Sequence, residues 1–195
     1  MKKLSIALLI MLFVGVKVHA QRDQGPQGPG SLVFWENLSK LCGRSFEGEM
    51  INASENDQFY GKKLVMHVRT CEDGKITIPF HVGDDHSRTW VLTMEEGNVI
   101  KLKHDHRHED GSEDRVTQYG GISSNTGMAR LQFFPADKET TDLIPYAATN
   151  VWWISLDDTS FSYNLRRINN DSSINVKFDL TKEVETPPTP WGWED

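Results

Sequence analysis

The residue types best suited to chemistry are concentrated in the segment 99–119, which reads VIKLKHDHRHEDGSEDRVTQY. His104, His106 and His108 alternate there with charged residues. Alternate side chains of an extended strand point to the same face, so these three imidazoles would share a face with the preceding aliphatic residue Leu102. Because that face begins with apolar residues, we expect it to point into the interior of the protein.

The turn that follows could bring a carboxylate to the same place. The Asp-Gly pair at 110–111 is a strong signal for a two-residue hairpin loop, which would put Glu113 opposite His108. Directly opposite residues have Cβ atoms about 5 Å apart, so His106, His108 and Glu113 could converge on one ion. Two imidazoles and a carboxylate suit iron, zinc or copper, and His104 would be a fourth ligand or a partner of the others. The cofactor that this set predicts is a divalent transition metal or haem.

Other interpretations of this segment stay open. A hairpin tip of this composition is also typical of a solvated loop whose histidines pair with neighbouring acids, and histidines also serve in pH sensing or proton transfer. The segment resembles the first motif of the cupin family, with matching positions at His106, His108, Glu113 and Gly120. That resemblance implies a metal-dependent enzyme as the alternative function. Ile100 stands where the motif begins with glycine, and no second cupin motif follows.

The chain lacks the sequence signatures of the common catalytic classes. It has no G-x-S-x-G elbow, no H-E-x-x-H pair, no phosphate-binding loop and no dinucleotide-binding fingerprint. We therefore assign no catalytic residue and expect a binding protein rather than an enzyme.

The elements that must hold the histidine segment are predicted to be strands. A short helix comes first, over 31–41, because Leu32, Trp35, Leu38 and Leu41 recur at steps of three. From residue 44 the hydrophobic period changes to two, which predicts ten strands at 46–51, 62–70, 75–82, 87–94, 98–108, 113–120, 127–134, 150–156, 160–168 and 173–181. The turns between them are typical of antiparallel neighbours, and a short helix is predicted at 137–143.

This pattern predicts an all-β fold, an antiparallel up-and-down barrel of about 8–10 strands with a short N-terminal helix. A barrel of this size is either filled by side chains or encloses one small ligand. The stretch LCGRSFEG, residues 41–48, resembles the opening of calycin barrels such as lipocalins, fatty-acid-binding proteins and nitrobindins. Phe46 stands one place after the tryptophan of that signature. The resemblance implies a barrel that holds a small hydrophobic ligand; the chain also resembles uncharacterised secreted bacterial proteins.

The N-terminus is typical of a signal peptide over 1–20, since Lys2 and Lys3 precede an apolar core that ends at Ala20. A leader at 21–30 is expected to be disordered, followed by a single barrel domain at 31–186 and a Pro- and Trp-rich tail at 187–195. No later apolar run is long enough for a transmembrane helix. We therefore expect an exported protein, periplasmic or secreted, and favour a bacterial source.

Charge and cysteine content narrow the choice of partners. The chain has 21 basic and 28 acidic residues, a formal charge of −7, and loss of the signal peptide with its three lysines takes this to −10. An acidic chain without a basic block argues against nucleic acids and anionic membrane surfaces. In an oxidising compartment the two cysteines, Cys42 and Cys71, are expected to form a disulfide.

The leading hypothesis is a secreted barrel that binds a small hydrophobic or metal-containing ligand. Its ligand-binding or metal-binding residues would be His104, His106, His108 and Glu113. The alternatives are a metal-dependent, cupin-like enzyme that uses His106, His108 and Glu113, and a ligand-free structural or interaction protein of the cell envelope.

Overall fold

The computed structural model describes residues 28–51, 58–170 and 172–194. The predicted signal peptide and most of the predicted leader lie outside the described residues. The elements are α1 (Gly30–Ser39), β1 (Ser45–Met50), β2 (Leu64–His67), β3 (Thr70–Glu72), β4 (Lys75–Val82), β5 (Asp85–Glu95), β6 (Val99–His106), β7 (Tyr119–Ile122), β8 (Leu131–Pro135), α2 (Lys138–Leu143), β9 (Asn150–Leu156), β10 (Ser160–Arg167) and β11 (Ser173–Glu183).

The strands form one antiparallel sheet that curls into a nearly closed barrel. Their order is β7-β6-β5-β4-β2-β1-β11-β10-β9-β8, and the short strand β3 pairs with β4 at its side. The two ends of this order, β7 and β8, meet at a bridge between Gly121 and Ala136. Gly120 and Gly121 permit this close approach, because a Cβ at either position would collide with the backbone of β6 or of the end of β8.

The predicted all-β antiparallel barrel with a short N-terminal helix is confirmed, and the described part of the chain contains eleven strands. β4 and β9 have the predicted bounds, whereas the strand predicted at 113–120 is reduced to β7. The residues before β7 are held to β6 by side chains: Thr117 and Gln118 donate to the buried carboxylate of Asp105 at 3.3 and 3.1 Å. Backbone hydrogen bonds from Asp114 to His106 and from Gln118 to His104 remain, and the side-chain bonds stand in place of the rest of the predicted ladder.

One end of the barrel is closed by α1. Phe34 and Leu38 of the helix are fully buried and pack in the same cluster as the barrel interior. Ser31 Oγ donates a hydrogen bond of 2.5 Å to the carbonyl oxygen of Asn98, in the turn between β5 and β6. The buried face differs from the predicted one, since Leu32 is 37% exposed.

The segment between β8 and β9 contains the predicted short helix, α2. Asp137 caps it, because its carboxylate accepts a hydrogen bond of 2.9 Å from the backbone N–H of Thr140. The same carboxylate lies 2.7 Å from Lys103 Nζ on β6. These contacts attach the segment to the barrel wall, and the turn at Pro145–Ala147 then leads into β9.

The predicted disulfide between Cys42 and Cys71 is present and joins the end of α1 to β3. The two residues are 29 positions apart, and a bridge over a loop of that length stabilises a domain by about 3.5 kcal/mol on the chain-entropy model. We expect the double variant Cys42→Ser, Cys71→Ser to lose about that much free energy of unfolding in urea titrations. The same loss on reduction of the unmodified protein is the control, and an unchanged urea midpoint in both would contradict the prediction.

The C-terminal tail lies along the outside of the barrel. The backbone N–H of Trp191 donates to the carbonyl oxygen of His86 at 3.1 Å. Arg69 and Lys75 lie over the ring of Trp193, at 6.0 and 5.8 Å from its centroid. The two tryptophans therefore cover barrel surface, and the tail leaves the barrel interior free.

Candidate functional site

A cavity of about 430 Å³ lies at the end of the barrel away from α1. Its size falls within the range of small-molecule sites, about 300–1,000 Å³. The strands supply most of the lining residues, among them Phe80, Arg88, Trp90, His104, His106, Tyr119, Asn150, Trp152, Tyr163, Leu165, Arg167 and Ile174. Connecting segments supply the rest of the mouth, among them Gln58, Phe59, Val116, Ile144, Tyr146 and Ala147.

Strand register places polar and apolar groups at different depths in this cavity. The rim contains two pairs of neighbours, Arg88 with His106 and Arg167 with Asn150. Two residues further along each strand come Trp90 with His104 and Trp152 with Leu165. Below them the inward residues are apolar and fully buried, among them Leu92, Leu102, Ile154 and Phe161. The cavity therefore has a charged rim, an aromatic wall and a packed apolar base.

Aromatic rings pack against one another beneath the rim. Trp90 stacks on Tyr163 with centroids 4.3 Å apart and planes 13° apart, although β5 and β10 lie on opposite sides of the barrel. Phe80 stacks on the same indole at 4.8 Å, and His104 stacks on Tyr119 at 4.6 Å. Rings held by neighbours on both sides give the cavity a wall of fixed shape.

His104 lies among these rings and uses both ring nitrogens within the protein. Nδ1 is 3.0 Å from the carbonyl oxygen of Tyr119, and Nε2 is 2.7 Å from the hydroxyl of Tyr163. A carbonyl oxygen can only accept, so Nδ1 carries the proton and Nε2 accepts from the tyrosine. Burial lowers the pKa of His104 to about 3, against the opposing effect of the backbone hydrogen bond. The imidazole is therefore neutral at physiological pH, with its tautomer fixed.

His106 and Tyr119 form a second polar pair nearer the rim. His106 Nε2 lies 3.1 Å from the Tyr119 hydroxyl. Burial, followed by the nearby Arg88 guanidinium, lowers the pKa of His106 to about 4, and burial raises the pKa of Tyr119 to about 12. Both groups are neutral at physiological pH, so they offer hydrogen bonds rather than charge to a ligand.

The charges of the cavity belong to two arginines. Arg88 Nη1 is 2.5 Å from the carboxylate of Asp85. Arg167 Nε donates to the amide oxygen of Asn150 at 3.0 Å, and its guanidinium carbon lies 5.0 Å from the centroid of the Tyr146 ring. None of the described residues that line the cavity is acidic.

The structure separates the four predicted ligand residues. His104 and His106 line the cavity, as the inward face of β6 predicts, but His108 is exposed. The predicted hairpin register is wrong: Glu113 is opposite Arg107, not His108, and it forms an ion pair of 3.5 Å with that arginine. The loop is longer than the two residues predicted. The backbone N–H of His108 donates to the carbonyl oxygen of Ser112, which closes a wider turn. Among the described residues, no group of three or more His, Cys, Asp or Glu side chains is arranged to hold a metal ion.

The geometry of the barrel is compatible with a calycin-like fold. No family model, curated protein or solved structure matches the chain. The site must therefore be interpreted from its own residues. Of the two predicted binding residues that line the cavity, His106 has the greater freedom to contact a bound molecule, since both ring nitrogens of His104 are already hydrogen-bonded.

Arg88 and Arg167 were not predicted as site residues. The alternation of inward and outward residues along their strands carries a signal that could have identified them. Arg88 precedes Trp90 on the inward face of β5, and Arg167 follows Tyr163 and Leu165 on that of β10. A charged residue that continues an apolar face at the end of a strand lies at the mouth of a barrel. Inward-facing arginines could have been found in this way without the histidine cluster.

Proposed function

We propose that this barrel binds a small organic ligand in its cavity. The observation that carries the proposal is the cavity itself, about 430 Å³ with a wall of aromatic rings above a packed base. Interiors of folded proteins are close-packed, so an opening of this size inside a barrel departs from ordinary packing, and its volume is that of small-molecule sites. Concave, mostly apolar sites with a few converging polar groups are the common form of small-molecule sites.

The polar groups of the cavity support binding rather than catalysis. His104 is held by two hydrogen bonds, so neither of its nitrogens is available to move a proton to or from a substrate. The pKa of Tyr163 is raised well above its usual value by burial, which keeps the phenol protonated. These groups are suited to orienting a ligand.

We also propose that the protein is exported. The disulfide is consistent with an oxidising compartment. Among the described residues, none of the helices has the length and apolar character needed to cross a membrane. The predicted signal peptide supports the same proposal from the sequence.

Binding can be tested with a variant that fills the mouth. The mature protein should bind the neutral fluorescent probe phenylnaphthylamine with saturation. Because Val116 lines the cavity, Val116→Trp should occlude it and weaken binding by at least about tenfold, which is 1.4 kcal/mol. The control Ile168→Trp adds the same side chain at a position that is 68% exposed and should leave the affinity unchanged. Equal affinities in all three proteins, or no saturable binding to the unmodified protein, would refute the proposal.

A further inference from the structure

We infer that the ligand is an organic anion with a flat apolar ring body, whose acidic group lies between Arg88 and Arg167 while its rings lie against Trp90 and Trp152. This inference rests on the proposed binding function and adds the chemical class of the ligand to it. Its basis is the distribution of charge and of aromatic surface within the cavity.

The charge of the cavity is opposite to that of the chain. Acidic residues outnumber basic ones by 28 to 21 in the whole sequence. The cavity nevertheless contains two guanidinium groups and, among the described residues, no carboxylate in its lining. A partly enclosed positive site in an acidic protein attracts an anion and repels a cation.

Arg167 is placed to contact a ligand. Its Nε–H donates to Asn150 and its plane lies near the Tyr146 ring, which fixes the orientation of the guanidinium. Those are the only partners of the guanidinium among the described residues, so the terminal nitrogens keep donors for an acceptor in the cavity. A planar guanidinium with several N–H donors binds carboxylate and sulfonate oxygens in a bidentate manner.

Arg88 adds a second positive group on the opposite wall. β5 and β10 are five places apart in the ten-strand order of the barrel, and Arg88 and Arg167 both lie above the Trp90–Tyr163 stack. Among the described residues, the Asp85 carboxylate bonds Nη1 of Arg88 and the Phe59 ring lies 5.6 Å from its guanidinium carbon, so the other N–H groups stay available as donors for a ligand. An anionic group at the rim would therefore be directly between two guanidiniums, while the carboxylates of Asp85, Asp105 and Asp114, which act electrostatically on His106, lie outside the cavity lining.

The lower part of the cavity favours rings over flexible chains. Trp90, Tyr163 and Phe80 stack on one another and form a rigid aromatic wall, and Trp152 lies 5.3 Å from His104 with a tilted plane. Flat rings gain edge-to-face contacts with such a wall in addition to burial of apolar area. The cavity, about 430 Å³, has room for a fused pair of rings with one acidic substituent.

A matched pair of probes tests the charge of the ligand. Anilinonaphthalene sulfonate and phenylnaphthylamine share the same ring system and differ in the sulfonate. The unmodified protein should bind the sulfonate more tightly. Arg167→Gln should weaken binding of the sulfonate by at least about tenfold and leave binding of the neutral probe within about twofold, and Arg88→Gln should act in the same direction. The control Arg166→Gln removes an exposed arginine of the same strand and should change neither affinity.

A competition experiment tests the ring body. Naphthoate and undecanoate have the same number of carbon atoms and one carboxylate each. Naphthoate should displace the bound sulfonate probe at the lower concentration. A better displacement by undecanoate would overturn the ring assignment in favour of an acyl chain.

The outcomes separate this inference from the proposed function. Saturable binding of the neutral probe by all four proteins shows that the variants are folded and that the cavity binds ligands. If the sulfonate then binds no better than the neutral probe, or if Arg167→Gln leaves its affinity unchanged, the anion assignment is overturned while the binding function stands. Failure of both probes to bind the unmodified protein would overturn both.

Discussion

Replacement of His104 by leucine should lower the free energy of unfolding by about 3 kcal/mol. Leucine has the shape to pack among the rings, but it leaves the hydroxyl hydrogen of Tyr163 without its acceptor and removes the imidazole hydrogen bond to the Tyr119 carbonyl oxygen. A buried polar group without a partner costs about 1–3 kcal/mol, and His104 is only 3% exposed. Urea unfolding followed by tryptophan fluorescence measures the change.

Two further variants determine whether hydrogen bonding is the cause. In His104→Gln, the amide oxygen lies near the position of Nε2 and can accept from Tyr163, so the loss should be smaller than in the leucine variant. His108→Ala removes an exposed histidine of the same segment and should change stability by less than about 0.5 kcal/mol. A leucine variant as stable as the unmodified protein would show that the hydrogen bonds of His104 contribute little to the fold.

The fold was largely predictable because it follows from the alternation of apolar and polar residues along the strands. The sequence of β4 and of β9 reads as a strand bounded by turn residues, and the structure gives both the predicted bounds. The prediction failed at 113–120, where Thr117 and Gln118 bind Asp105 through their side chains. A period-two pattern does not distinguish a continuous ladder of backbone hydrogen bonds from a loop held by a few backbone bonds together with side chains.

The candidate site was predictable in part for the same reason. Alternation placed His104 and His106 on the inward face of β6, and both line the cavity. It could not place Glu113, because hairpin register depends on loop length and a one-residue difference changes the partner of every residue. The arginines come from β5 and β10, which are distant in sequence, and no local pattern shows that these strands face one another across a barrel.

The histidines that the fold keeps neutral predict a steep loss of stability in mild acid. Burial, with the neighbouring His86 as a second cause, lowers the pKa of His81 to about 4. The pKa of His106 falls to about 4 and that of His104 to about 3. In the unfolded chain each would titrate near 6.5. The unfolded state therefore binds more protons than the folded state over this range, and the contribution of these groups is full above about pH 6.5 and is lost as the pH falls toward 4.

The carboxylates act at lower pH, so the two effects can be separated. Burial raises the pKa of Asp85, but hydrogen bonds from Ser87 and Arg88 outweigh it and lower the pKa to about 2. Hydrogen bonds from Thr159 and Ser160 lower the pKa of Asp157 to about 2. The stability contributed by such groups is present above their unfolded values near 3.8 and is lost only as the pH falls further. Between pH 6.5 and pH 4.5, histidine protonation should dominate.

Urea unfolding at a series of pH values from 7 to 4.5 tests this expectation. Each fully shifted histidine contributes a slope of about 1.4 kcal/mol per pH unit, and three contribute about 4. Since small domains have a total stability of about 5–15 kcal/mol, the barrel should approach unfolding near the lower end of this range. His104→Gln should reduce the slope by about 1.4 kcal/mol per pH unit. A stability that stays level from pH 7 to 4.5 would contradict this prediction. It would mean that the folded protein protonates these buried histidines at no cost.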